Sequence, residues 1–258
     1  MTKVIMHGCN GKMGQTITAM CKDDPEIEIV AGIDLYDGIK NDYPVFPNIS
    51  VCDVKADAVI DFSNAKAVDD LLIYCEEKQV PVVLCTTGLS EEQLAKVKQV
   101  SGHVAVLKSA NMSLGINMLM ELLKKAALTL APAGFDMEIV EKHHNQKLDA
   151  PSGTAITLAE GILENIDRKD KWVKGTLVAP DGSVSGNTVY APDELPVSSV
   201  REGEVPGIHT IRYDSEADSI SITHDAKNRK GFALGAVLAA EYTAQHEGFL
   251  GMNDLFQF

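Results

Sequence analysis

Along the first 110 residues, short β-branched and apolar runs alternate with stretches whose apolar positions recur at helical spacing. Residues 3–7 predict a strand, a glycine-rich turn follows, and a helix then runs to about residue 22. Residues 28–33 and 58–62 predict two further strands. Between residues 64 and 79, Val68, Leu71, Leu72 and Cys75 mark one face of a helix that Asn64 is placed to cap. Residues 81–85 and 104–108 read as strands. Between them Ser90-Glu91-Glu92-Gln93 has the form of a capping box opening a helix. Strands and helices alternating at these lengths predict right-handed crossovers and an α/β fold with a Rossmann-type, doubly wound parallel sheet.

The pattern changes after Asn111. A long helix over about 115–130 leads to a strand at 137–142 and a helix over about 154–166. From 171 to 224 the chain alternates polar and apolar residues between Gly and Pro turns; 219–223 reads SISIT, as one face of a mixed, open sheet should. A small-residue helix over 231–245 is expected to pack back on the first domain. The expected organisation is therefore a dinucleotide-binding domain, 1–112 with 226–258, and an α+β domain for substrate and oligomerisation, 113–225. A cleft between two such domains is a usual place for a small molecule.

Composition narrows the partners. The 258 residues are 45% hydrophobic, enough for a packed core, but 23 basic residues face 37 acidic ones, a formal charge of −14. That balance argues against nucleic acid and anionic membranes, which need basic clusters. The apolar run from 109 stops at Glu121, too short to span a bilayer, and the N-terminal run is too short for a signal peptide. Five cysteines, an odd number without a CxxC pair, read as reduced core residues. The expectation is a soluble cytoplasmic protein.

Two segments carry candidate chemistry. Gly8-Cys9-Asn10-Gly11-Lys12-Met13-Gly14 lies between the first strand and its helix. The glycines of such a turn let backbone approach a pyrophosphate, which then faces the helix N-terminus. Asp34, twenty residues past Gly14, stands where a carboxylate accepts from ribose hydroxyls. The bland alternative is a glycine turn that binds nothing. Asp34 would repel a 2′-phosphate and Leu35 offers no charge, so NADH is favoured; Lys12 leaves NADPH possible. The second segment, residues 141–155, reads EKHHNQKLDAPSGTA. Here Ser152, Gly153 and Thr154 turn into a helix whose first N–H groups suit an anion, while His143, His144 and Lys147 add positive charge and transferable protons. Adjacent histidines on a strand face opposite ways, so one of the two can be structural. A metal site on Glu141, His143, His144 and Asp149 lacks any usual ligand spacing, and Ser152 lacks a nucleophile elbow; no metal is expected. The residues alone point to an NAD(P)-dependent reductase of a small anionic substrate. The alternatives are a different Rossmann dehydrogenase, against which stands a second domain without cysteine, or a non-catalytic NAD(P)-binding regulator.

The block ExHHxxKxDxPSGTA, together with GCNGKMG, VIDFSN, CTTG, SANMSLGIN, VREGEVPGIHTI and ITHDAKNRKGFALGAV, resembles the 4-hydroxy-tetrahydrodipicolinate (dihydrodipicolinate) reductases along nearly the whole chain. The resemblance implies reduction of 4-hydroxy-tetrahydrodipicolinate to tetrahydrodipicolinate in diaminopimelate and lysine biosynthesis. It casts His143 as catalytic acid/base with Lys147 as cationic companion. His144, Lys147, Ser152, Gly153 and Thr154 would cradle a small dicarboxylate heterocycle. The implied cofactor set is Gly8, Asn10, Gly11, Lys12, Met13, Gly14, Asp34, Phe62, Thr86, Thr87, Gly88, Ala110, Asn111 and Met112. A homotetramer assembled through the second domain's sheet is implied as well, with a closing hinge between domains. Leu35 departs from the arginine some members carry, and Ala65 from a frequent proline. Glu141 and Asp149 are read as orienting neighbours, and Arg229 stays between a hinge role and a substrate contact.

Overall fold

Val4, Ile5, Met6 and His7 are all buried, an unbroken run that suits a parallel strand covered on both faces. They form β1 (Thr2–His7) in a computed structural model that describes residues 1–256. The chain continues through α1 (Lys12–Cys21), β2 (Ile27–Ile33), β3 (Val45–Phe46), β4 (Ala58–Asp61), α2 (Val68–Lys78), β5 (Val82–Leu84), α3 (Glu91–Val100) and β6 (Val106–Lys108). Then come α4 (Leu114–Leu130), β7 (Asp136–His143), α5 (Gly153–Leu163), β8 (Lys171–Val178), β9 (Val184–Gly186), β10 (Glu194–Arg201), β11 (Ile208–Asp214) and β12 (Ser219–Asp225). α6 (Lys230–Thr243), β13 (Phe249–Leu250) and α7 (Met252–Phe256) end the described chain. Two units result, one of Met1–Leu114 with the chain from Arg229 onward, the other of Gly115–Asn228.

In the first unit seven parallel strands run in the order β13-β6-β5-β4-β1-β2-β3. One face buries Val4, Met6 and Ile60 with Ile17 of α1 and the small residues Ala233, Ala236 and Ala240 of α6. The other buries Ile5, Val59 and Val82 under α2 and α3. This is the doubly wound sheet expected. The capping box is present in both halves: Ser90 Oγ accepts from Gln93 N and Gln93 Oε1 from Ser90 N, each at 3.1 Å. Asn64 caps differently from expectation. Its Oδ1 accepts from Lys66 N at 3.1 Å, which winds a 3-10 turn over Ala65–Ala67, and α2 starts only at Val68. Two-residue β3 and β13 are too short for any period to announce.

The second unit is a mixed sheet in the order β12-β11-β7-β10-β8-β9. β7, β10 and β8 are parallel, whereas β11 and β12 and the edge strand β9 run antiparallel to their neighbours. The two-residue period sends Met137 and Ile139 of β7, Leu195 and Val197 of β10, and Ile211 and Tyr213 of β11 into one core beneath α4 and α5. The mixed sheet agrees with the sequence expectation. Among the described residues, no helix is long and apolar enough to cross a membrane.

Candidate functional site

The β1–α1 turn is shaped by contacts that only glycine tolerates. Gly8 has φ +82°, and a Cβ there would stand 2.6 Å from the Phe62 carbonyl oxygen. At Gly14 a Cβ would meet the Gly8 and Cys9 carbonyl oxygens at 2.3 and 2.5 Å, so the helix can lie against the loop only without one. Gly11 is the N-cap of α1; no side chain caps the helix and no acid sits in its first turn. Its leading N–H groups therefore face the loop without a competing carboxylate. Asp34 follows β2 and is tied to the same loop, its Oδ2 accepting from Asn10 N at 2.9 Å and its Oδ1 from Tyr36 N at 3.0 Å. A carboxylate offers roughly four acceptor positions, so room remains for two hydroxyls. Gly8, Gly11, Asp34, Leu35 and Phe62 line a cavity of about 480 Å³, with Lys66 on its rim. This arrangement fits a dinucleotide.

The remaining sequence-selected residues fall into two groups. Lys12 is exposed at the start of α1, and Gly88 takes φ +73° in the loop after β5. Thr86, in that loop, is buried with no hydrogen-bond partner for its Oγ1, and Thr87 follows it. Ser109 Oγ and Asn111 Oδ1 accept from the N–H groups of Asn111 and Ser113 and fix the turn that starts at Ala110. Others serve the protein's own packing. The Asn10 amide donates to Tyr36 O while its Oδ1 accepts from Asn41 Nδ2, so it shapes the loop. Met13 packs partly, and Met112 fully, into the core. Met112 O lies 1.7 Å from where a Gly235 Cβ would be, so α6 needs glycine there. Beneath the loop His7 Nδ1 lies 3.0 Å from the buried Asp61 Oδ1, at an angle that makes no hydrogen bond.

In the second unit the inward face of the sheet turns from apolar to polar toward the end of β7. Register pairs Ile139 with Val197 and Ile211; one step on, Glu141 with Ser199 and His209; one further, His143 with Arg201. Glu141 is fully buried. Its carboxylate bonds His143 Nδ1 through Oε2 and accepts from Arg201 Nη2 at 3.0 Å and Nη1 at 3.2 Å. Burial works to raise its pKa, but the hydrogen bonds from His143, Arg201 and Ser199 outweigh that and bring it down to about 2. His209 stands edge-on to His143, ring centroids 5.2 Å apart. Burial first of all, with the adjacent His143 imidazole second, pushes its pKa down to about 3, so it is neutral at ordinary pH.

Arg201 also organises the loop beyond β7. Its Nε donates to Lys147 O at 3.2 Å and its Nη2 to Asp149 O at 2.7 Å, while Lys147 Nζ pairs with Asp149 Oδ1 at 2.9 Å. His144, half-buried, begins that loop, which reaches α5 through a cis Ala150–Pro151 bond. Ser152 is more committed than its sequence position suggests. Its hydroxyl accepts from Ala155 N as N-cap of α5 and contacts His209 Nε2, each at 3.2 Å. Gly153 has no atom within 4 Å of an ideal Cβ, so space lies open beside the first turn of α5, which Thr154 continues. An imidazole, an ammonium and a helix N-terminus gathered here can hold an anion and move a proton. Sequence reasoning gave no role to Arg201, His209 or Ser199. The available signal was parity, since Arg201 and Ser199 share the inward face with Leu195 and Val197.

Comparison with known proteins bears on both sites. The family profile described as "Dihydrodipicolinate reductase, N-terminus" matches residues 2–112, and "Dihydrodipicolinate reductase, C-terminus" matches 115–256. A 4-hydroxy-tetrahydrodipicolinate reductase of Clostridium novyi (strain NT) is 42% identical over 100% of this chain and 99% of its own. One from Caldanaerobacter subterraneus subsp. tengcongensis is 41% identical over 99% and 98%. Among solved structures, the dipicolinate-bound dihydrodipicolinate reductase from Paenisporosarcina sp. TG-14 superposes with TM-score 0.80 at 26% identity, covering 97% of each chain. A probable dehydrogenase from Thermotoga maritima, 11% identical with TM-score 0.59 over 98% of this chain and 92% of its own, shares the fold alone. By both halves and over its full length, the chain belongs to the dihydrodipicolinate reductase family.

Proposed function

We propose that the chain reduces 4-hydroxy-tetrahydrodipicolinate to tetrahydrodipicolinate on the diaminopimelate route to lysine, as an NAD(P)H-dependent oxidoreductase. The observation that carries the chemical half is His143 held through Nδ1 by a buried carboxylate, with Lys147 and the start of α5 nearby. A bound reduced nicotinamide would supply hydride, and the substrate's 4-hydroxyl leaves as water. The chain's own residues do the rest. Gly8, Gly11, Gly14 and the α1 N-terminus hold pyrophosphate, Asp34 takes ribose hydroxyls, and Thr86, Thr87, Gly88, Ala110 and Asn111 border the nicotinamide. Lys147, His144 and the Gly153–Thr154 turn hold the substrate's carboxylates, and His143 transfers the proton.

Asp34 with Leu35 favours NADH, while Lys66 on the cavity rim and Lys12 on the loop leave NADPH usable. The sheet face turned away from α4 and α5 carries half-buried Val140 and Val200, which supports a homotetramer assembled through it. The −14 charge argues against nucleic-acid and anionic-membrane partners, and five free, buried cysteines fit a reducing compartment such as the cytoplasm.

The test follows NADH and NADPH absorbance with substrate generated by the preceding synthase from pyruvate and aspartate semialdehyde. Synthase-dependent oxidation is expected, faster with NADH. Absence of oxidation while both dinucleotides bind would overturn the reading. His143→Ala should lower kcat by about 10²- to 10⁴-fold and leave NADH affinity intact.

A further inference from the structure

We propose that Glu141, clamped by Arg201, is a positioning residue that fixes His143 with its hydrogen on Nδ1 and so makes Nε2 the proton-transferring nitrogen. The inference rests on the reading of His143 as acid/base and adds which nitrogen acts and what chooses it.

The choice follows from what each partner can donate. A guanidinium carries only donors, and it spends two on the Glu141 carboxylate at 3.0 and 3.2 Å. A carboxylate paired in this way stays ionised and can only accept. The Nδ1 that bonds Glu141 Oε2 must therefore be the donor. In a neutral imidazole the other nitrogen is then the acceptor.

The surroundings fix the ring and limit crowding at that nitrogen. Gly207 stands against Nε2, where an added Cβ would come to 3.0 Å of it, so glycine spares Nε2 that contact. His209 abuts the ring at 75°, and Ser152 holds His209 in turn. The same Arg201 reaches the carbonyls of Lys147 and Asp149, so one side chain sets both the imidazole and the loop bearing the ammonium. Orienting partners behind a functional imidazole are known to fix its tautomer in this way.

Glu141→Gln separates this role from mere packing. The amide has one acceptor oxygen, which the Arg201 donors claim, so its NH₂ turns toward Nδ1 and forces that nitrogen to accept. The tautomer then reverses. In the full-length protein with ¹⁵N-labelled histidine, NMR should show neutral His143 protonated at Nδ1, and at Nε2 in E141Q. An Nε2–H tautomer in the unsubstituted protein would overturn the inference even if E141Q failed to fold. Kinetically, E141Q should lower kcat by about 10²- to 10⁴-fold with little change in KM, and Glu141→Asp, which keeps the charge, should recover much of the loss. Loss in E141D equal to that in E141Q would count against the inference. In a His143→Ala background E141Q should cost nothing further, because there is no imidazole left to orient. A full additional loss there would show that Glu141 acts elsewhere and sink the inference. Undiminished turnover in His143→Ala alone would instead remove the acid/base reading beneath it.

Discussion

Arg201→Met tests the energetics on which the second unit's site depends. Arg201 is 6% exposed, and its guanidinium donates to Glu141, Val200 O, Lys147 O and Asp149 O. Two routes give the magnitude. A carboxyl held at about 2 against an ordinary 4.5 represents about 3 kcal/mol of preferential stabilisation of its ionised form in the folded state. Breaking one side of a buried ion pair costs about 3–5 kcal/mol independently, because the remaining charge is left without a partner. Arg201 supplies only part of the first figure, but its loss also strips three carbonyls of a donor, so about 3 kcal/mol is expected. The pH dependence has a definite sign. Because the folded-state pKa is depressed, the contribution is full above about pH 4.5 and declines as pH falls toward about 2; roughly 1 kcal/mol is gone at about pH 3.5. Trp172, the chain's single tryptophan, packs against the core of this unit, so its fluorescence in urea reads the transition directly. The gap between Arg201→Met and the unsubstituted protein should be about 3 kcal/mol at neutral pH and narrow by about 1 near pH 3.5. A gap below about 1 kcal/mol, or one that stays constant with pH, would refute the argument.

Gly14→Ala should abolish NADH binding, seen as loss of cofactor fluorescence enhancement, because its Cβ would lie 2.3 Å from the Gly8 carbonyl oxygen; retained affinity would dissociate the glycine loop from the cofactor. Asp34→Ala should weaken NADH by about 10- to 100-fold, the worth of charge-assisted bonds to the ribose, and weaken NADPH less. Equal losses for the two dinucleotides would mean that Asp34 does not discriminate at the 2′ position. All five cysteines are buried, and burial first of all pushes Cys9 up to about 11 and Cys21 up to about 12. A thiol reagent at about pH 8 should therefore titrate none in the native protein and five in urea, and rapid native labelling of any of them would contradict that burial.

How far the sequence could lead depended on the range over which each feature is determined. The glycine loop and Asp34 were legible because one strand–turn–helix unit sets their spacing, and the Ser90 capping box because its bonds span three residues. The start of α2 was misplaced by a similarly local effect. Asn64 has the right side chain for a cap, but accepting from Lys66, two residues on, closes a tighter turn than an α-helix uses. Arg201 was out of reach for a different reason. It meets Glu141 across 60 residues, and only the parallel register of β7 and β10 brings them together. Yet half of that answer lay in parity. Ile139, Glu141 and His143 share one face of β7, so the face that buries the core also carries the first histidine inward, and His144 lies beyond the strand end. A carboxylate and an imidazole in succession on an otherwise apolar face cannot remain buried without partners. The alternation in residues 195–201 ends on the arginine that supplies one. A strand whose inward face turns from Ile to Glu to His marks where a core ends and a site begins, and the buried glutamate there demands a cation that the register of β7 and β10 supplies.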